Sequence, residues 1–255
     1  MSEATPVWVV LPAAGAGRRM RAAEPKQYLR LIDTKTVMQC TLERLLGLGL
    51  ERLIVAVAPG DTRAASVLEL LEPEQKERVE ILATGGNERA DTVLNTLQAL
   101  DGRAADEDLV LVHDLARPCL CRSDLDAVVT TAVASRFGAI LGIPVSDTLK
   151  RCVPLARRDT ELPITETVPR ALLWRAMTPQ VIRYAALRES LEQAERKWIT
   201  DEASALEQSG KEVLMVAGRS DNIKITQPED LALAAFLYRQ QLENGLAFAS
   251  EQRSS

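Results

Sequence analysis

Short apolar runs recur along the chain, at residues 7–11, 53–57, 79–82, 109–112 and 139–143. Most are continuous rather than alternating, which predicts strands buried on both faces of a mostly parallel sheet. The segments between them carry helical periodicity. In residues 89–100, Ala90, Val93, Leu94 and Leu97 follow the i, i+3, i+4, i+7 stripe of a helix resting on a sheet. Ser123, with Asp126 three residues on, reads as the start of another helix with an imperfect capping box. Thr226-Gln227-Pro228-Glu229 reads as a capping box with proline in the first turn, opening a last helix whose face is Leu231, Ala234, Ala235, Tyr238 and Leu242. Residues 146–174 break the alternation. They hold Pro154, Pro163 and Pro169 amid mixed charge and are too long for a simple connection, so an arm is expected there. The pattern predicts one three-layer α/β domain over residues 1–245, an arm insertion at 146–174, and a frayed tail at 246–255.

Composition narrows the function. A 255-residue chain with 46% hydrophobic and 26% charged residues is long enough for a large core and is not a disordered polymer. No apolar stretch approaches the ~20 residues of a membrane span, and the first residues have neither a basic region nor an apolar one. A cytoplasmic protein is expected. Formal charge is 31 minus 36, or −5, which argues against broad nucleic-acid binding, so an anionic ligand must be held by a local cationic cluster. Four cysteines (Cys40, Cys119, Cys121, Cys152) are too scattered for a disulfide framework. A single histidine, His113, excludes multi-histidine metal sites and leaves little room for a Ser-His-Asp mechanism. It reads as a packing or hydrogen-bonding residue.

In open α/β sheets ligands bind beyond the carboxyl ends of the strands, and the unusual polar residues fall there. After the first strand comes Pro12-Ala13-Ala14-Gly15-Ala16-Gly17-Arg18-Arg19-Met20, then Pro25-Lys26-Gln27. Small residues let the backbone approach a phosphate chain as an anion nest, while Arg19 and Lys26 add charge. A dinucleotide fingerprint fails because Met20 stands at the third glycine, and a P-loop fails because no Gly-Lys-Ser/Thr closes the segment. Gly85-Gly86-Asn87-Glu88-Arg89 follows the third strand and leaves space for a flat base, with a Thr92 hydroxyl nearby. Asp114, after the fourth strand, is well placed for Mg²⁺, although helix capping or a surface ion pair would also account for it. Asp147-Thr148-Leu149-Lys150, Arg170, Thr178-Pro179-Gln180 and Asp221-Asn222-Ile223-Lys224 would singly be ordinary loop groups, and Thr200-Asp201-Glu202 a helix start.

Taken in order, Pro12-Ala13-Ala14-Gly15-x-Gly17-x-Arg19-Met20, Pro25-Lys26-Gln27-Tyr28-Leu29, Gly85-Gly86-x-Glu88-Arg89, His113-Asp114-x-Ala116-Arg117-Pro118, Thr200-Asp201-Glu202-Ala203 and Asp221-Asn222-Ile223-Lys224 resemble the 2-C-methyl-D-erythritol 4-phosphate cytidylyltransferases of the non-mevalonate isoprenoid pathway. The resemblance implies a Rossmann-like nucleotidyltransferase fold with a protruding arm. It implies a nucleotide site of Ala13, Ala14, Gly15, Gly17, Arg19, Lys26, Gly86, Asn87, Thr92 and Asp114, with Arg19 and Lys26 catalytic. It also implies a polyol-phosphate site of Arg117, Thr148, Arg170, Thr178 and Lys224, and Mg²⁺ near Asp114, with Asp221 a second candidate. A homodimer through the arm, with Arg170 acting in the partner's site, is implied as well. Asp33, Asn87, Thr92 and Leu115 stand where the family usually has Gly, Asp, Ser and Ala. Three alternatives stay open at this stage: the same chemistry on another polyol phosphate such as ribitol 5-phosphate, a non-catalytic nucleotide-binding module, and, already weakened by Met20, a nicotinamide dehydrogenase.

Overall fold

The computed structural model describes residues 5–15, 24–47, 50, 52–153 and 162–246. In chain order the strands are β1 (Val7–Pro12), β2 (Arg30–Ile32), β3 (Lys35–Thr36), β4 (Leu53–Ala56), β5 (Val79–Leu82), β6 (Leu109–Val112), β7 (Gly138–Pro144), β8 (Leu149–Cys152), β9 (Ile164–Val168), β10 (Trp174–Arg183) and β11 (Leu214–Ala217). The helices are α1 (Val37–Leu46), α2 (Arg63–Leu68), α3 (Pro73–Lys76), α4 (Arg89–Gln98), α5 (Arg122–Ala134), α6 (Tyr184–Gln193), α7 (Glu202–Gln208) and α8 (Pro228–Glu243). The five strands expected from the apolar runs all form, each within one residue of the expected ends.

Seven strands make the main sheet in the order β11-β7-β10-β6-β1-β4-β5. Every neighbouring pair is parallel except those of β10, which runs antiparallel to both β6 and β7. The continuous apolar runs follow from this placement, because successive side chains point to opposite faces and both faces are covered. Val9, Leu11, Val55, Leu111 and Leu141 pack with α1, α2 and α5 through Leu42, Val67 and Val128. Trp8, Val10, Ile54, Val110 and Ile182 pack with α4, α6 and α7 through Leu97, Leu187 and Leu206. The expected three layers are therefore present. Tyr238 and Ala234 of α8 close a smaller cluster with Leu31, Ile32 and Cys40, which anchors the β2–β3 hairpin.

The structure corrects several sequence readings. β10 is central although Pro179 lies within it; its register shifts between Ala176 and Gln180, so the proline escapes the hydrogen-bonded ladder. The helix expected from Ser123 starts at Arg122 with Cys121 as N-cap and no side-chain cap; Asp126 pairs with Arg122 instead. The last helix is capped one residue later than expected: Gln227 is its N-cap, and the Asp230 carboxylate accepts from Thr226 N, Thr226 Oγ1 and Gln227 N. The expected arm is a separate antiparallel ribbon of β8 and β9. Residues 154–161 within it, and nearly all of the tail expected to fray, lie outside the described residues. Asp33 takes the β2–β3 turn at φ 46°, a conformation that Asp tolerates better than most residues, at the position where the resemblance implies a glycine. Among the described residues no helix is long and apolar enough to cross a membrane.

Candidate active site

The site gathers at the carboxyl ends of β1, β5 and β6. Ala13 leaves β1 bonded to β4 through Ala56 O, and its own carbonyl accepts from Gln27 Nε2 at 2.9 Å. That bond ties the end of β1 to the turn of residues 26–28. It leaves the Lys26 ammonium across the site, where Nζ donates to Ile225 O at 2.7 Å. Gly17 and Arg19 lie outside the described residues.

One cavity, of about 320 Å³, is lined by Ala14, Gly15, Gly86, Asn87, Arg89 and Thr92, among others. Its floor needs glycine. A Cβ at Gly86 would stand 2.3 Å from Asp91 Cβ, and one at Gly85 only 2.7 Å from Ala14 Cβ. Thr92 holds this floor in place: its buried hydroxyl accepts from Gly86 N at 3.0 Å and donates to Glu88 O at 3.2 Å. α4 begins there with Asp91 accepting from Glu88 N.

A second cavity, of about 270 Å³, is lined by Arg89, Asp114, Arg117, Thr178 and Lys224, among others. Its centre is the Asp114 carboxylate, which meets Lys224 Nζ at 2.7 Å, Arg89 Nε at 3.1 Å and Arg117 Nε at 3.6 Å. Burial opposes its ionisation, but Arg89, Lys224 and Arg117 overcome that and hold it well below the usual carboxylate range. Arg89 is clamped from behind by Glu202, with Nη1 to Oε1 at 2.6 Å and Nη2 to Oε2 at 3.0 Å. Arg117 donates to Asn222 O, and Asn222 Nδ2 donates to Thr178 O. Gln180 reaches both Asp201 and the backbone N–H of Ala203.

Sequence-distant segments thus converge on one carboxylate. Thr148 and Arg170 do not join them. Both are exposed on or beside the arm, where the Arg170 guanidinium donates to Ser146 O. Asp221 is also elsewhere engaged, its carboxylate held by Arg219 at 2.6 Å. The expectation of a metal at Asp114 and Asp221 finds no open carboxylate: one is taken by three cations and the other by Arg219. Among the described residues no group of three or more His, Cys, Asp or Glu could hold an ion. Sequence reasoning missed the roles of Glu202, read as a helix-dipole acid, and of Arg89 and Asn222. Their only sequence signal is membership of the matched segments.

His113 is fully buried and bonded at both nitrogens. Nε2 faces Arg117 O at 3.0 Å and so carries the proton, while Nδ1 accepts from Thr178 Oγ1 at 3.1 Å. Thr178 Oγ1 in turn accepts from Asp114 N. Burial pushes the imidazole pKa down to about 4, so it is neutral at physiological pH and cannot act as a base near 7. The packing role expected of it stands. The unfolded chain takes up a proton near pH 6.5 that the folded chain refuses until about pH 4, so His113 costs stability as pH falls through that window. Urea unfolding between pH 7 and 4 should therefore show a steeper loss for the native chain than for His113→Gln; equal slopes would refute the buried neutral imidazole. Burial likewise pushes the Cys40 and Cys119 thiols up to about 12, so neither supplies a thiolate nucleophile.

A glycine-floored cavity beside a cation-lined pocket, both at the carboxyl end of a mostly parallel sheet, marks an α/β protein suited to anionic ligands. A profile of the 2-C-methyl-D-erythritol 4-phosphate cytidylyltransferase family, IspD, matches residues 7–240. A 2-C-methyl-D-erythritol 4-phosphate cytidylyltransferase of Tolumonas auensis is 47% identical over 91% of this chain and 96% of its own, and one of Vibrio cholerae is 48% identical over 89% and 94%. The crystal structure of a 4-diphosphocytidyl-2C-methyl-D-erythritol synthase superposes with a TM-score of 0.77 at 35% identity, over 92% of this chain and 99% of that one. The Thermus thermophilus cytidylyltransferase superposes with a TM-score of 0.69 at 32% identity, over 92% and 99%. The chain belongs to the 2-C-methyl-D-erythritol 4-phosphate cytidylyltransferase family. Its activity is formation of the cytidine diphosphate derivative of that polyol in the non-mevalonate pathway.

Proposed function

We propose that the transfer is a single in-line displacement, in which the phosphate of 2-C-methyl-D-erythritol 4-phosphate attacks the α-phosphorus of CTP and pyrophosphate leaves. The observation that carries this reading is the meeting of Arg89, Arg117 and Lys224 around Asp114, one wall away from the glycine-floored cavity. A phosphate monoester has a second pKa of about 6, so the nucleophile is already largely dianionic and needs no base. The protein's task is to offset repulsion between two anions. Ala13 to Gly17 wrap the triphosphate, Gly86, Asn87 and Thr92 face the cytosine, and Asp114 stands near the ribose. Arg19 and Lys26 meet charge developing at the α-phosphorus, while Arg117, Thr178 and Lys224 hold the acceptor phosphate. A divalent cation, Mg²⁺ or an equivalent, fits best as part of the nucleotide substrate, held by phosphate oxygens rather than by Asp114 or Asp221.

The arm belongs to a homodimer in this reading, and its Thr148 and Arg170 reach the partner's acceptor site. The arm and the segment leading into β10 leave large apolar side chains in water, with Leu172 93% and Ile164 62% exposed, more than a solvated ribbon of this size needs. Mixing inactive Lys26→Ala and Arg170→Ala subunits tests this. If Arg170 acts in trans, each mixed dimer has one intact site and activity returns; if it acts within its own chain, the mixture stays inactive.

A further inference from the structure

The acceptor pocket opens into a neighbouring cavity of about 360 Å³ that shares Arg117 and Lys224 with it and adds Arg175, Asn222 and Asp230. Arg175 comes from β10, immediately before the point where that strand's register shifts. Its guanidinium makes no ion pair or hydrogen bond among the described residues. The acids of this part of the site are already taken. Asp230 accepts from the N-terminus of α8, and Asp114 is shared by Lys224, Arg89 and Arg117. Three cations therefore line one cavity whose one carboxylate, Asp230, is held by the start of α8, and Arg175 pairs with no acid among the described residues. The crowding is felt: burial lowers the Arg117 pKa, and the charges of Arg89 and Arg175 lower it further against the pull of Asp114. An anion shared between Arg175, Arg117 and Lys224 would relieve this repulsion.

We propose that Arg175 is a further acceptor-binding residue, its guanidinium binding the phosphate monoester dianion alongside Arg117 and Lys224. The proposal rests on the reading that the polyol phosphate binds at Arg117 and Lys224. A planar guanidinium presents parallel donors to a phosphate, so Lys cannot fully replace it. Arg175 is exposed on its strand, so its replacement leaves the core intact.

The test is steady-state pyrophosphate release by Arg175→Ala, Arg175→Lys and Lys224→Ala, with each substrate varied in turn and melting checked. Loss of one charge-assisted bond to a partly solvated phosphate should raise KM for 2-C-methyl-D-erythritol 4-phosphate about ten-fold in Arg175→Ala. KM for CTP should stay unchanged and kcat nearly so, and Arg175→Lys should recover part of the loss. An unchanged acceptor KM in Arg175→Ala, with a raised one in Lys224→Ala, would overturn the role of Arg175 alone. An unchanged acceptor KM in both would overturn the placement of the acceptor as well. A rise in KM for CTP instead would assign Arg175 to the nucleotide and equally reject the proposal.

Discussion

Replacing Lys26 by alanine should lower kcat by about 10²–10³ while barely changing the melting temperature, and Arg19→Ala should do the same. The argument is electrostatic. Joining a phosphate dianion to a triphosphate gathers negative charge at the α-phosphorus, and a cation already in position costs no reorganisation as the reaction proceeds. Lys26 is fixed from two sides. The turn that carries it is tied to the end of β1 by Gln27, and its ammonium rests on Ile225 O, while Ile225 N donates to Ala116 O in the segment after β6. The position is thus referenced to the same loops that hold Asp114 and Arg117. Its structural contribution is the smaller one: a hydrogen bond from a charged group is worth about 1.5–3 kcal/mol, and less here because Lys26 is only half-buried. Pyrophosphate release and thermal melting on the same preparations separate the two effects. Near-normal turnover in either variant would remove that residue from the catalytic set.

The largest loss of stability is expected at Glu202, a residue that touches neither substrate in this account. Its carboxylate is 1% exposed and holds Arg89 through two bonds, so Glu202→Ala leaves a guanidinium with one buried partner fewer. Breaking a buried pair from one side costs about 3–5 kcal/mol. The Arg89 side chain keeps 28% of its surface in solvent, which puts the cost near the lower limit, about 3 kcal/mol. For a chain of this size that corresponds to about 6–12 °C in melting temperature. Glu202→Gln keeps the shape and an acceptor and should lose less. Because Arg89 also braces Asp114 and lines the cavity with the glycine floor, the surviving folded enzyme should bind both substrates more weakly. Melting of Glu202→Ala within about 2 °C of the parent would contradict this picture.

The strands that were legible in the sequence are those whose environment leaves a one-dimensional trace. β1, β4 and β6 are buried on both faces and β7 nearly so, and their apolar runs follow from that, while β5 keeps a short apolar run although it is a half-buried edge strand. β10 is equally central but carries Arg175 and Pro179, one facing the site and the other sitting in a register shift, so its composition argues for a loop. β11 is an edge strand with Leu214 and Met215 partly in water, and nothing in its pattern separates it from a connection. The candidate site divides in a similar way. Asp114, Arg117, Thr178 and Lys224 come together as their order in the chain implied: the first two follow β6, Thr178 lies within β10 beside it, and Lys224 lies in the segment between β11 and α8. The Glu202 clamp was illegible because it depends on the N-termini of α4 and α7 meeting in space, and a glutamate in the first turn of a helix looks the same whether it faces water or an arginine. Thr148 and Arg170 could not be placed by the single chain at all. They sit on a ribbon apart from the cavities, and their proposed role needs a second subunit.

The central claim is that the acceptor's own phosphate attacks CTP directly, with cations rather than a protein nucleophile carrying the catalysis. The buried imidazole of His113 and the neutral thiols of Cys40 and Cys119 leave no such nucleophile among those groups. Stereochemistry at the transferred phosphorus tests this most directly, using CTP made chiral with sulfur at the α-phosphorus and reading the configuration of the product diester. A single displacement predicts inversion. Retention would mean two displacements through a covalent cytidylyl-enzyme, and would contradict the account.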